Sequence, residues 1–178
     1  VVVSARDGLT GEDEAIAARL RKSARELVLT ANKTDGLDTD TALVEFASLG
    51  LGDALPVASA HRRGLETLMK AVAERLPEPA DEASAEDDED LLRLAIVGRP
   101  NVGKSTLLQQ VSAYLMLDLP VCYATGEESL RQIGQRSLRL GLEASAMNLL
   151  ADTALENVLD QARRCKARVL VIDSIQTM

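Results

Sequence analysis

Gly98-Arg99-Pro100-Asn101-Val102-Gly103-Lys104-Ser105, with Thr106 directly behind it, follows the apolar run Leu92–Val97 and opens a stretch whose apolar residues recur at helical spacing. Two glycines flanking a four-residue spacer let successive backbone N–H groups curl around an anion. The start of the following helix adds partial positive charge at the same place. An ammonium on Lys104 then reaches the β- and γ-phosphates of a bound triphosphate, and a hydroxyl on Ser105 is placed to ligate Mg²⁺. Gly98, Asn101, Val102, Gly103, Lys104, Ser105 and Thr106 are the expected phosphate cradle. A glycine-rich turn without a ligand is the alternative, and the strand, loop and helix context weighs against it.

Working outward, short β-branched or Leu-rich runs alternate with amphipathic stretches. Strands are predicted at Val1–Val3, Leu27–Ala31, Leu55–Ala58, Leu92–Val97, Val121–Thr125, Met147–Leu150 and Val169–Ile172. Helices are predicted at Glu12–Ser23, Thr41–Ser48, Leu65–Arg75, Lys104–Met116, Ser129–Leu140 and Leu155–Arg164. Thr10 and Asp13 have the spacing of a capping box. Alternation of this kind specifies an α/β fold, a three-layer α/β/α sandwich on a mostly parallel sheet, and the glycine-rich loop makes it of P-loop NTPase type.

Four further segments end predicted strands with polar residues. Asn32-Lys33-Thr34-Asp35 can read guanine, because the Asp35 carboxylate accepts from the ring N1–H and the exocyclic amine, a donor pair adenine lacks. It is equally a turn made of turn-favouring residues. Ser59-Ala60-His61 would bring backbone N–H groups to a base carbonyl, or is an ordinary small-residue turn, with His61 at the surface. Val169–Ile172 followed by Asp173 has the Walker B pattern, in which a carboxylate at a strand end holds Mg²⁺. Glu127 and Glu128 follow Val121–Thr125 and project from the edge where ligands of open α/β sheets bind, so one of them could orient an attacking water.

Composition narrows the partners. Of 178 residues 46% are hydrophobic, enough for a packed core, but the only aromatics are Phe46, Tyr114 and Tyr123. No platform for stacking single-stranded bases can be built from them, which argues against a nucleic-acid partner. Seven of the acids behind the net charge of −8 lie in Asp81–Asp90, so the remainder of the chain is nearly neutral. The Pro- and acid-rich run at residues 78–90 reads as a disordered linker. Cys122 and Cys165 lack metal-ligand spacing and read as reduced thiols. No apolar run is long enough to span a membrane, and no charged region precedes an apolar one at the start, so a soluble, cytoplasmic protein is expected. Val1–Val3 read as a buried strand, so the chain is expected to begin in mid-fold.

The segment from Val3 to about Leu108 resembles the Der (EngA) family of tandem GTPases, which act in ribosome assembly. The matching residues are Ala5-Arg6-Asp7-Gly8-Leu9-Thr10, Asn32-Lys33-Thr34-Asp35, Pro56-Val57-Ala58-Ser59-Ala60-His61 and Ala95–Leu107. From about Gly103 onward the chain is similar instead to the RadA (Sms) family of RecA-like DNA repair ATPases, through Tyr123-Ala124-Thr125-Gly126-Glu127-Glu128-Ser129-Leu130-Arg131-Gln132-Ile133, Arg139-Leu140-Gly141-Leu142 and Val171–Met178. The two overlap on the phosphate loop, which implies a chimera joined there, engineered or a natural recombinant.

The Der resemblance implies guanine contacts from Asn32, Lys33 and Asp35, base-carbonyl contacts from Ser59 and Ala60, and a potassium-directed role for Asn101. The RadA resemblance implies Glu127 as the water-activating carboxylate and Asp173 as the metal-holding acid. Because the guanine-reading strands precede the phosphate loop, the strand order is that of a circular permutant. Residues 1–77 and 91–178 are expected as two halves of one domain. The expected ligand is GTP or ATP with Mg²⁺, with slow turnover at most because segments both families use for catalysis are missing. Sheet edges left unpaired allow a domain-swapped homodimer.

Overall fold

The computed structural model describes residues 1–23, 25–76, 94–142 and 147–174. The expected linker at 78–90 lies outside them. Two compact units are present: the first comprises Val1–Ala58 and Arg63–Lys104, the second Ser59–Arg62 and Ser105–Met178.

The first unit is built on β1 (Val2–Ser4), β2 (Thr30–Asn32) and β3 (Leu55–Pro56), a parallel sheet in the order β1-β2-β3. Val3 lies opposite Ala31, and Ala31 opposite Pro56. α1 (Gly11–Leu20) links β1 to β2, and its start is fixed by the expected capping box, in which Asp13 N donates to Thr10 Oγ1 and Thr10 N to Asp13 Oδ2. Val3, Ala17, Leu29, Ala31, Phe46 and Leu49 form the core, with Phe46 wholly enclosed. That one ring replaces the aromatic cluster which larger cores use.

Two expectations fail in this unit. Thr41–Ser48 is not one helix. It divides into α2 (Thr39–Ala42) and a 3-10 helix over Val44–Leu49, which stops at Gly50 in the left-handed conformation. Short 3-10 pieces of this kind suit a segment that must bring Phe46 and Leu49 down onto the sheet within a few residues. The strand expected at Leu92–Val97 is not formed over its described part: residues 94–97 carry no strand, and Leu94 is 61% exposed. The segment nevertheless runs beside β1, where Val2 N donates to Val97 O at 2.7 Å. Beyond β3, α3 (Leu65–Ala73) forms within the expected Leu65–Arg75, two residues shorter, and buries Leu68.

The second unit holds β4 (Val121–Thr125), β5 (Asn148–Ala151) and β6 (Val169–Asp173), again parallel, in the order β5-β4-β6. β4 is buried along its whole length, as a central strand of five apolar or small residues should be. α4 runs over Lys104–Leu115, α5 over Leu130–Arg139 and α6 over Leu155–Arg164. Ser129 caps α5 in a second capping box, with Gln132 as the reciprocal partner. Tyr123, Ile133 and Met147 make the core here, joined by Leu108, Leu149 and Val171. Parallel strands joined through helices confirm the α/β class, although the strands pair in two three-stranded sheets.

Candidate functional site

In the first unit the glycine-rich loop leaves the edge of β1. A Cβ on Gly98 would stand 2.2 Å from Val2 O and 3.2 Å from a Val102 methyl, so only glycine fits against β1 at this point. Asn101 and Gly103 take positive φ values of 64° and 96°, which curls the loop before α4 begins. Lys104 Nζ folds back along the loop and donates to Gly98 O at 2.7 Å and to Arg99 O at 2.9 Å.

The Asn32–Asp35 segment follows β2 and is tied to this loop. Asn32 is buried, and its Nδ2 donates to Val102 O at 2.8 Å across seventy residues of sequence. Lys33 adopts a left-handed conformation with φ of 63°, and its Nζ lies 3.6 Å from Asp7. Asp35 accepts from Arg6 Nη2 at 2.5 Å, and the same nitrogen reaches the Asp35 carbonyl at 3.3 Å. Thr34, Asp35, Leu37, Ala58, Arg63 and Gly64 contribute to the wall of a cleft of about 350 Å³.

Arg6, Asp7 and Arg99 were not singled out by chemistry in the sequence. Arg99, inside the loop, donates to Asp7 at 2.8 Å and lies 3.4 Å from the buried Asp13 carboxylate. The Arg99 hydrogen bond, aided by the Ser4 hydroxyl, holds the Asp7 carboxyl below the usual carboxylate range. One adjacent acid and base, Arg6 and Asp7, thus contact the expected base-reading residues on one side and the phosphate loop on the other. Their position just past the C-terminal end of a parallel strand was the available signal.

In the second unit Ser59 is buried, and its carbonyl accepts from Gln110 Nε2 at 2.9 Å. Ala60 and His61 are exposed on the same 3-10 turn. Asp173 ends β6 largely buried, and one of its oxygens accepts from the Tyr123 hydroxyl at 2.7 Å. Burial, reinforced by the neighbouring Asp173 carboxylate, pushes the Tyr123 phenol far above its ordinary value, so it remains a donor. Thr125, Glu127, Glu128, Asp152 and Thr153 line a cleft of about 550 Å³ at the C-terminal ends of β4 and β5. Glu128 is engaged by Arg136 in a close ion pair, whereas Glu127 is exposed and accepts from Ser174 Oγ at 2.5 Å. Sequence reading missed Tyr123 because nothing local marks a residue that bonds fifty positions away, and Arg136 because its partner Glu128 lies before the start of α5, outside the helix's own spacing.

Ser105 and Asp173 offer hard oxygen donors, a hydroxyl and a carboxylate. Among the described residues no group of three or more His, Cys, Asp or Glu could hold a metal ion. Taken by donor type alone, a hydroxyl and a carboxylate suit Mg²⁺, which keeps water and substrate phosphates in its shell and uses one or two protein ligands. Among the same residues no helix is long and apolar enough to cross a membrane.

Residues 93–177 match the family model described as 50S ribosome-binding GTPase. The chain is 50% identical over 111 residues to GTPase Der of Acinetobacter baumannii (strain SDF), covering 62% of this chain and 23% of that protein. Against GTPase Der of Stenotrophomonas maltophilia (strain R551-3) the identity is 46% over 110 residues, 62% of this chain and 24% of the relative. GTPase Der of Alcanivorax borkumensis is 45% identical over 116 residues, 62% of this chain and 25% of its own. The chain therefore spans about a quarter of the length of the curated relatives it matches. Homology to GTPase Der over about 62% of the chain, with a P-loop GTPase match over its second part, fits the parallel α/β architecture and fixes the fold as P-loop NTPase.

Proposed function

We propose that a chain with this homology to GTPase Der binds a nucleoside triphosphate with Mg²⁺, prefers GTP, and turns it over slowly or not at all. The observation that carries the reading is the bond from Asn32 Nδ2 to Val102 O. It couples the segment suited to reading guanine to the loop suited to holding phosphate, inside one compact unit.

In this reading backbone N–H groups of Gly98 to Thr106 cradle the phosphates. Lys104 exchanges the carbonyls of Gly98 and Arg99 for phosphate oxygens, a substitution favoured because charge-assisted bonds are the stronger ones. Asp35 accepts from the guanine edge, Lys33 lies along the base, and Ser59 and Ala60 meet its carbonyl. Ser105 and Asp173 would hold Mg²⁺, which neutralises phosphate charge when bound. Of the two glutamates, Glu127 is our candidate for orienting water, since Glu128 is committed to Arg136. Phosphoryl transfer needs water, metal and a charge-stabilising group positioned together. ATP remains the alternative ligand if Asp35 does not read the base.

We also read the chain as an engineered chimera, Der-like to about Leu108 and RadA-like beyond, whose halves were meant to close into one domain. The alternative reading is a folded scaffold without nucleotide activity, and the open edges of its sheets permit a swapped dimer.

Titration with fluorescent GTP and ATP analogues in the presence of Mg²⁺ separates the readings. GTP binding that is lost in Lys104→Ala, with its preference over ATP lost in Asp35→Asn, supports the first. Equal binding of both nucleotides confines recognition to phosphate, and no binding leaves the scaffold.

A further inference from the structure

Guanine presents two adjacent N–H donors to a carboxylate, one from N1 and one from the exocyclic amine. An arginine side chain presents the same chemistry, since its guanidinium is a planar fork of N–H donors. Arg6 brings this group to Asp35, with Nη2 at 2.5 Å from Oδ2 and 3.3 Å from the Asp35 carbonyl. Arg6 is held near this position by its neighbour, because Asp7 is fixed by Arg99 at 2.8 Å and approached by Lys33 at 3.6 Å. The carboxylate suited to a guanine edge is therefore already engaged by a guanine-like group from the same chain.

We propose that Arg6 is an intramolecular stand-in for guanine, a latch on Asp35 that an incoming guanine base must displace. This rests on the GTP-binding reading above. Adenine makes no claim on the Asp35 carboxylate, so the latch taxes GTP and leaves ATP untouched. It lowers both the affinity for GTP and the margin over ATP.

The Arg6 side chain is 56% exposed and that of Asp35 28%, so the pair is a weak one whose removal shifts GTP affinity by about two- to five-fold. The sign is diagnostic. Deleting a positive charge should by general electrostatics weaken the binding of an anionic nucleotide, whereas release of a latch strengthens it for guanine alone.

The test measures equilibrium binding of fluorescent GTP and ATP analogues with Mg²⁺ to the full chain and to Lys104→Ala, Arg6→Ala, Arg25→Ala, Asp35→Asn and Arg6→Ala/Asp35→Asn. Arg25 is exposed and carries the same charge as Arg6, so its variant controls for net charge. The expected result is a two- to five-fold gain for GTP in Arg6→Ala, no gain for ATP, none in Arg25→Ala, and no effect of Arg6→Ala once Asp35 is Asn. Lys104-dependent GTP binding that Arg6→Ala leaves unchanged or weakens, or a gain shared equally by ATP, overturns the latch and leaves the nucleotide reading standing. Absence of any Lys104-dependent binding overturns the nucleotide reading and the latch with it.

Discussion

Gly98→Ala places a methyl group where no space exists. The added carbon would lie 2.2 Å from Val2 O and 3.2 Å from Val102 Cγ2. Val2 O belongs to β1, whose next strand is β2, so the oxygen cannot retreat without disturbing the sheet. Restoring an ordinary contact requires β1 and the loop to part by about 1 Å, an overpacking strain on the order of 1–3 kcal/mol. The bond from Val2 N to Val97 O, 2.7 Å in the native protein, is lost in the same movement, at a further cost of about 1 kcal/mol. The expected destabilisation is about 2–4 kcal/mol. With a urea dependence of about 1–3 kcal/mol per molar, the unfolding midpoint followed by circular dichroism should fall by about 1–2 M. Gly11→Ala is the control, because nothing lies within 4 Å of the position its methyl would take. A Gly98→Ala midpoint within about 0.3 M of the parent would refute the argument that β1 closes against the loop here.

Tyr123→Phe keeps the buried ring and removes only the hydroxyl that donates to Asp173. It should cost about 1–3 kcal/mol in thermal unfolding, because a largely buried carboxylate then loses its donor. An unchanged melting temperature would show that the bond contributes nothing. The Cys122 thiol is pushed up from its ordinary 9.0 to about 11, first by burial and then by the nearby Cys165. The unfolded thiol therefore ionises before the folded one, so stability should be whole below pH 9 and decline as pH rises from about 9 to about 11. Urea midpoints measured across that interval should show the decline in the parent and a flatter profile in Cys122→Ala.

What the sequence disclosed depended on whether the deciding contacts were local. Val121–Thr125 and Leu155–Arg164 form as expected, because an apolar β-branched run and a helical spacing of apolar residues carry their own evidence. The capping box at Thr10 and Asp13 was equally legible, since both partners lie within one turn. Leu92–Val97 was not, because an apolar run does not reveal whether it has strands on both sides. With β1 bonded at Val97 and Leu94 facing solvent, its described part stays irregular. The loop residues of the candidate site could be read from spacing alone, whereas the groups that hold them could not. Arg6 meets Asp35 across 29 positions, Tyr123 meets Asp173 across 50, and Arg99 meets Asp7 across 92. Such pairs are decided by topology.

The two bonds that anchor the glycine-rich loop in its unit also set when that loop can form. Val97 waits for Val2 and Val102 waits for Asn32, so neither anchor exists until distant stretches of polypeptide have met. Contacts of such high sequence separation are made late and slowly, after the entropy of closing a long loop has been overcome. Secondary structure such as α1 can appear from its own residues at once, but the curled glycine-rich loop is among the last parts of the unit to mature. The curled loop is then a report on completed folding, present only once Val2 and Asn32 have found Val97 and Val102.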